Sequence, residues 1–271
     1  MTRRTKISIF HPHTMSFLDS LLPGYPITPL QWVLVILAAA IIGMSKAGIG
    51  SISIITVSIL AWIFGSRAST GMVLPMLIFA DILAVKHYKR HALWEHLVKL
   101  LPWIALGVIL AAVFGHLIND RLFKQLMASI ILISLAALIY FEKKPMASVP
   151  DHWLFSGSMG LLTGFTSMIG NLAGGFSNVY FISMRVLKNN FIGTAAWMFF
   201  LLNLFKLPFH IWVWKTVTPA TFKLNLVLIP VITGGFYLGA FLVRKLNEKG
   251  FREVILWLTI GSSLLVLFDL R

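Results

Sequence analysis

Gly43-Met-Ser-Lys46-Ala-Gly48-Ile-Gly50-Ser51-Ile-Ser-Ile54 is a glycine-punctuated break carrying one lysine. It lies between two apolar runs, Trp32 to Ile42 and Ile54 to Phe64, that contain no charge. The flanks place Lys46 at membrane depth. A lysine there costs on the order of 2.5–3.5 kcal/mol on insertion scales and is tolerated when it faces a protein interior, a water-filled cavity or a partner. Glycines and serines crowd the same residues, which suits an unwound backbone whose free N–H groups face an anion. The competing reading is a lysine that snorkels to a short turn between two spans.

Outward from this break, the composition supports a membrane setting. Of 271 residues, 58% are hydrophobic and only 12% charged. Apolar runs recur at roughly 30–45, 50–64, 68–85, 97–117, 123–141, 153–169, 172–184, 190–205, 222–243 and 252–268. The chain reads as an all-α polytopic membrane protein with about 8–10 membrane segments. Runs that meet at Lys46 and at Asn171 fall short of the ~20 residues of a straight span, so each pair is expected to be glycine-broken or re-entrant. Residues 1–28 read as a leader or interfacial segment. A first membrane repeat follows over 29–141, then a polar linker, Glu142 to His152, and a second repeat over 153–271.

The absence of cysteine excludes a disulfide framework, a thiolate metal site and a cysteine nucleophile. A formal charge of +14 would suggest nucleic acid in a soluble protein. Here the basic residues cluster in short loops, which membrane lipid and a small anionic substrate explain better. One set of loops, from Lys86 to Arg90, Lys143 and Lys144, Arg185 and Lys188, and Arg244 to Arg252, is the richer in Lys and Arg and reads as cytoplasmic. The opposite set carries Arg67, Arg121, Lys124, Lys215 and Lys223, and the basic leader falls with it.

The second half repeats the first. An offset of 122 pairs Gly48 with Gly170, Gly71 with Gly193, Met76 with Met198 and Asp81 with Asn203. An offset of 128 pairs Pro102 with Pro230, Gly107 with Gly235, Asn119 with Asn247 and Phe123 with Phe251. Each half holds five apolar runs, or three full crossings if the broken pair dips in and returns. Either count is odd, so the expected architecture is two inverted repeats with a site near the midplane. Treating residues 31–64 as one broken helix would give parallel halves. At ~1.5 Å per residue that helix would run about 51 Å, too long for a hydrocarbon core of ~30 Å.

The counterpart of the opening stretch is Gly164-Phe-Thr-Ser-Met-Ile-Gly-Asn171-Leu-Ala-Gly174-Gly175-Phe-Ser-Asn178. It has no charge but offers hydroxyls, the amides of Asn171 and Asn178, and four glycines, which elsewhere serve close helix packing. Two such breaks facing each other would surround a small anion with backbone N–H groups, including those at Gly48, Gly50, Ser51, Gly174 and Gly175, and with the Lys46 ammonium. Lys46 is expected to supply the main fixed charge. Asp81 is the one carboxylate embedded in an apolar run. It reads either as a proton-binding group of a transport cycle or as an ion pair with Lys86 or Lys46. Lys206 lies one helical turn beyond Asn203 on the same face, lining the path or snorkelling from a span end. No third ligand accompanies His87 and His91, and no catalytic constellation or phosphate loop stands in a suitable context, so no metal, cofactor or enzyme activity is expected.

Gly43-x-x-Lys46-Ala-Gly48-Ile-Gly50, Leu74-Pro75 with Asp81, Gly170-Asn171-Leu-Ala-Gly-Gly175, Lys188, Phe191-Ile-Gly-Thr194 and Asn203-Leu-Phe-Lys206 together resemble the sulfite exporter TauE/SafE family. The resemblance covers about residues 31–268. It implies a multi-pass transporter of the bacterial inner membrane for sulfite, organosulfonates or related sulfur oxyanions, working without ATP or a redox cofactor. It adds Thr194 and Asn203 to the candidate substrate-binding residues. Ala47 stands where the commoner pattern has glycine, and Phe176 where many members carry proline. The alternative function is an auxiliary membrane subunit whose glycines serve packing and docking. Oligomeric state stays open, a homo-oligomer included.

Overall fold

Threonine and proline start the first described helix. Thr28 caps α1 (Pro29–Lys46) in a capping box, its hydroxyl accepting from Gln31 N while Gln31 Oε1 accepts from Thr28 N at 2.8 Å, with Pro29 at the first helical position. The computed structural model describes residues 27–48, 52–119 and 153–251, with parts of 121–140 and of 253–257. Most of the leader, the linker, Gly50 and Ser51 therefore lie outside the described residues.

After α1 come α2 (Ser53–Phe64), α3 (Ser66–Tyr88) and α4 (Trp94–Leu117) in the first half. The second half has α5 (Trp153–Gly170), α6 (Gly174–Ser183), α7 (Lys188–Pro208), a π-helical turn Phe209–Val213, and α8 (Pro219–Arg244). The same capping box recurs at α8, between Thr218 and Thr221, again followed by proline. Among the described residues, five helices are long and apolar enough to cross a membrane: Pro29–Lys46, Ser66–His91, Trp94–Leu117, Lys188–Val213 and Pro219–Arg244. Their outer faces carry large apolar side chains such as Leu30, Val33, Val113, Leu226 and Phe241 in exposed positions. A helix that is apolar all round suits lipid on one side and protein on the other. In each expected pair only the second helix is short: α2 has 12 residues and α6 has 10, against 18 in α1 and 18 in α5, so at ~1.5 Å per residue α2 and α6 each rise only about half the hydrocarbon thickness.

The halves interlock by exchange. α8 of the second half packs along α1 of the first, α4 of the first along α5 of the second, and α3 against α7. Glycines set the distances. A Cβ on Gly43 would stand 2.0 Å from Ile232 O, and one on Gly235 2.1 Å from Ala40 O. At the other crossing, a Cβ on Gly164 would stand 2.0 Å from Ile104 O, and one on Gly107 2.1 Å from Leu161 O. Ile104 and Ile232 are 128 apart, as are Gly107 and Gly235, whereas Ala40 and Leu161 are 121 apart, as are Gly43 and Gly164. The two crossings are thus the same contact made twice, backbone on backbone, as small residues allow.

Capping follows the repeat too. The Arg67 guanidinium donates to Ile118 O beyond α4, and the Lys188 ammonium to Leu246 O beyond α8. Asn119 Oδ1 accepts from Leu122 N at 2.9 Å, and Asn247 Oδ1 from Gly250 N at 2.8 Å. Arg67 and Lys188, counted above as loop charges, are therefore tied to helix ends where cations meet the free carbonyls.

Candidate functional site

The first break ends α1 at Lys46, and Ala47 and Gly48 turn away. Gly48 has φ 123°, a backbone conformation that favours glycine, and a Cβ there would also press on the Ile192 Cδ1 methyl at 2.9 Å. The Tyr88 hydroxyl donates to Ala47 O at 3.0 Å, satisfying a carbonyl that the ended helix leaves free. Lys46 Nζ lies 2.8 Å from Asp81 Oδ1, with the lysine side chain 9% exposed and the aspartate fully buried. Asn203 Nδ2 donates to Asp81 Oδ2 at 2.6 Å. Asp81 and Asn203, paired by the 122-residue offset, thus meet directly. Lys46, not Lys86, is the ion-pair partner, because Lys86 is exposed on the far turn of α3. The Lys46 ammonium also stands 4.3 Å from the centroid of the Phe199 ring, a cation–π contact.

The second break has the same backbone logic with different chemistry. α5 ends at Gly170, and Asn171 takes φ 56°, a conformation asparagine accepts more readily than most residues. Its amide is used at both ends: Nδ2 donates to Thr70 O at 3.1 Å, and Oδ1 accepts from Lys206 Nζ at 2.7 Å. Lys206 also donates to Ser167 O at 3.1 Å, in the last turn of α5. It does not snorkel. Its exposure is 0%, and the π-helical turn Phe209–Val213 carries the helix on past Pro208, so Lys206 is not at the end of the span.

Two small cavities adjoin these groups, each of about 20 Å³, room for about one water molecule. The first is lined by Ser45, Lys46, Ser53, Leu77, Ser167, Asn171, Ala173, Gly174, Phe199 and Asn203. It draws on both breaks, and Ser53 and Gly174 are the first residues of α2 and α6. Two helix N-termini, one ammonium and amide groups therefore surround one space, a set of donors that attracts anions. The second cavity is lined by Ser45, Lys46, Gly48, Asn178, Phe191, Ile192, Ala195, Ala196 and Phe199. Lys46 and Phe199 stand in the wall of each.

Of the residues singled out in the sequence, Lys46, Asn171, Gly174 and Asn203 thus meet at the first cavity, with Asp81 and Lys206 directly behind its wall. Gly48 and Asn178 line the second. Gly175 is buried, its N–H donating to Leu172 O at 3.1 Å. Thr194 is placed differently: its hydroxyl accepts from Leu93 N at 2.9 Å, holding the residue before α4, and it lines neither cavity. Ser167, one of the hydroxyls that the second break offers, lines the first cavity, whereas Ser45, Ser53 and Phe199 were not singled out as lining residues. Phe199 had a signal, since 199, 203 and 206 share one face of α7 at helical spacing. His210, one turn further, is also fully buried, with Nδ1 2.8 Å from Thr216 Oγ1.

The fold and this centre define a multi-pass membrane protein in which a buried charged cluster sits where two broken helices meet. The family model described as "Sulfite exporter TauE/SafE" matches residues 35–266. The chain belongs to that family, a family of membrane transporters. No curated protein and no solved structure matches the chain.

Proposed function

We propose that the protein is a secondary transporter of small sulfur oxyanions, sulfite or an organosulfonate, in the bacterial inner membrane. The observation that carries this reading is the first cavity, where the N-terminal residues of α2 and α6, the Lys46 ammonium and the Asn203 and Asn171 side chains border one space. An unwound pair of helix ends at the repeat interface suits a small anion better than a cation or an apolar ligand. A space for one water is too small for an oxyanion, so binding requires α3 and α7 to move relative to the breaks. Inverted halves would supply that motion as alternating access, and the duplicated glycine crossings supply two equivalent hinges. Ser45, Lys46 and Phe199 line both cavities, and in this scheme they stand between them.

Asp81 is the proton-binding group in this scheme. Substrate and the Asp81 carboxylate compete for Lys46, and protonation of Asp81 releases the ammonium to the anion. The test uses purified protein in liposomes with labelled sulfite and a panel of sulfonates. Flux without any second protein is expected, and its absence across the panel from folded protein would remove the reading. In Asp81→Asn, anion exchange should continue while accumulation driven by a pH gradient stops. Undiminished pH-driven accumulation in that variant would assign Asp81 a structural role alone.

A further inference from the structure

α3 and α7 run in opposite directions through the centre of the bundle. The start of α7 lies at the end of α3, since a Cβ on Gly193 would stand 2.9 Å from Tyr88 O, and the chain after α7 returns to the start of α3, where a Cβ on Gly71 would collide with the Thr216 side chain. The first cavity lies between them, and its wall follows the 122-residue offset: Ser45 with Ser167 and Leu77 with Phe199 all border it. The two ends differ. Toward the Lys188 end, Gly48 stands against the tip of the Ile192 side chain, and the second cavity, lined by both, reaches from them to Lys46 and Phe199. The same offset carries Gly48 to Gly170 and Ile192 to Thr70, at the Arg67 end. There the residue after Gly170 makes the closure: Asn171 Nδ2 donates to Thr70 O at 3.1 Å, and its Oδ1 accepts from Lys206 Nζ at 2.7 Å. Asn171 thus ties the end of α5 to α3 and α7 at once, by bonds that lysine makes with or without its extra proton.

We infer that these two contacts are the gates of the pathway, with Asn171 the latch of the gate at the Arg67 end, so that the protein without substrate opens toward the Lys188 end. This rests on the transport reading above. Opening at the Lys188 end parts a glycine from a methyl group above a space that already exists. Opening at the Arg67 end breaks hydrogen bonds whose buried donors and acceptors must find new partners, which sets the balance between the two states. Asn171 also lines the first cavity. An anion there that takes the Nδ2 donor away from Thr70 therefore unlatches the gate, which links occupancy of the site to opening on the far side.

The chain has no cysteine, so one introduced cysteine reports access to each gate in the full-length protein. Ala195→Cys places a thiol in the second cavity, and Thr70→Cys places one at the Arg67 gate while keeping the backbone oxygen that Asn171 uses. Each variant in sealed vesicles is treated from either face with a small, membrane-impermeant thiol reagent. Without substrate, Ala195→Cys should react from the Lys188 face at least about ten-fold faster than Thr70→Cys reacts from the Arg67 face. Adding Asn171→Gly, which suits the positive φ at that position but removes the latch, should raise the Thr70→Cys rate about ten-fold and slow Ala195→Cys. A residue that only holds the turn would change neither rate. Should that variant fail to fold, Asn171→Asp serves instead, since it keeps an acceptor for Lys206 and removes the donor to Thr70. Equal rates at the two thiols, or a Thr70→Cys rate unmoved by loss of the latch, overturns the assignment. The labelling needs no substrate, so folded protein that carries neither sulfite nor sulfonate overturns the transport reading alone, a separate outcome.

Discussion

At the first break the charge belongs to the broken helix: Lys46 is the last residue of α1, and its carboxylate partner comes from α3. At the second break the broken helix brings only an amide, Asn171, and the ammonium arrives from α7 as Lys206. The backbone frames are alike, since each helix ends in a turn and a short helix restarts at a cavity-lining residue. The glycine contacts and helix-end caps recur at corresponding positions of the two halves, while the polar groups at the breaks differ. Asp81 and Asn203 show it best, as residues 122 apart that bond to each other.

The comparison can be broken most forcefully at the ion pair. Lys46→Met leaves a fully buried carboxylate without its ammonium, and destabilisation of about 3–5 kcal/mol is expected, with anion binding weakened roughly ten- to a hundred-fold. Lys46→Met combined with Asp81→Asn should recover much of the stability but not the binding. Denaturation in detergent and ligand titration separate the two. A double variant as unstable as the worse single one would mean that the pair is not what holds α1 to α3. Lys46→Arg is expected to be partly active at best, because a planar fork does not replace a compact ammonium in so small a space.

The glycine crossings are the next test. Gly43→Ala and Gly164→Ala each force a methyl onto a carbonyl oxygen, and each should cost about 1–3 kcal/mol or more as the helices separate. Equality of the two is the point, since the crossings are equivalent. Gly234, which has nothing within 4 Å of an added Cβ, supplies the control: Gly234→Ala should be neutral or stabilise by up to about 1 kcal/mol. A marked inequality between Gly43→Ala and Gly164→Ala would show that the halves do not share the load.

The terminal lysine and arginine sharpen the comparison further. Arg67→Met and Lys188→Met should each lower stability by about 1–2 kcal/mol through loss of a charged donor at a helix end. Arg67→Met should be the worse, because the guanidinium also lies 5.3 Å from the Phe123 ring. The smallest effect is expected at the paired asparagines: Asn119→Ala and Asn247→Ala, each removing a side-chain acceptor from a helix start, should cost about 1 kcal/mol apiece. Thermal unfolding of the four variants in one detergent ranks them directly.

Much of this was legible in one dimension. Apolar runs and their lengths report on lipid, glycine and serine clusters report on backbone that leaves the helix, and constant offsets report on duplication. The positions of α1 to α8 and the two breaks follow from these signals. Thr194 shows where the method stops, because a threonine in a motif looks the same whether it faces a cavity or, as here, holds a loop. Lys206 shows it again. Its place just beyond the apolar run 190–205 suggested a span end, but the helix continues through a π-helical turn past Pro208 and the ammonium stays buried.

By itself the sequence determined the membrane class, the helix breaks and the family resemblance, since each depends on local composition or on spacing along the chain. Only the tertiary structure decided which lysine meets a carboxylate and which meets an amide. That outcome depends on α3 setting Asp81 against Lys46 while α7 sets Lys206 against the end of α5, and pairing in a buried site is a property of distances across helices, which spacing along one chain does not encode.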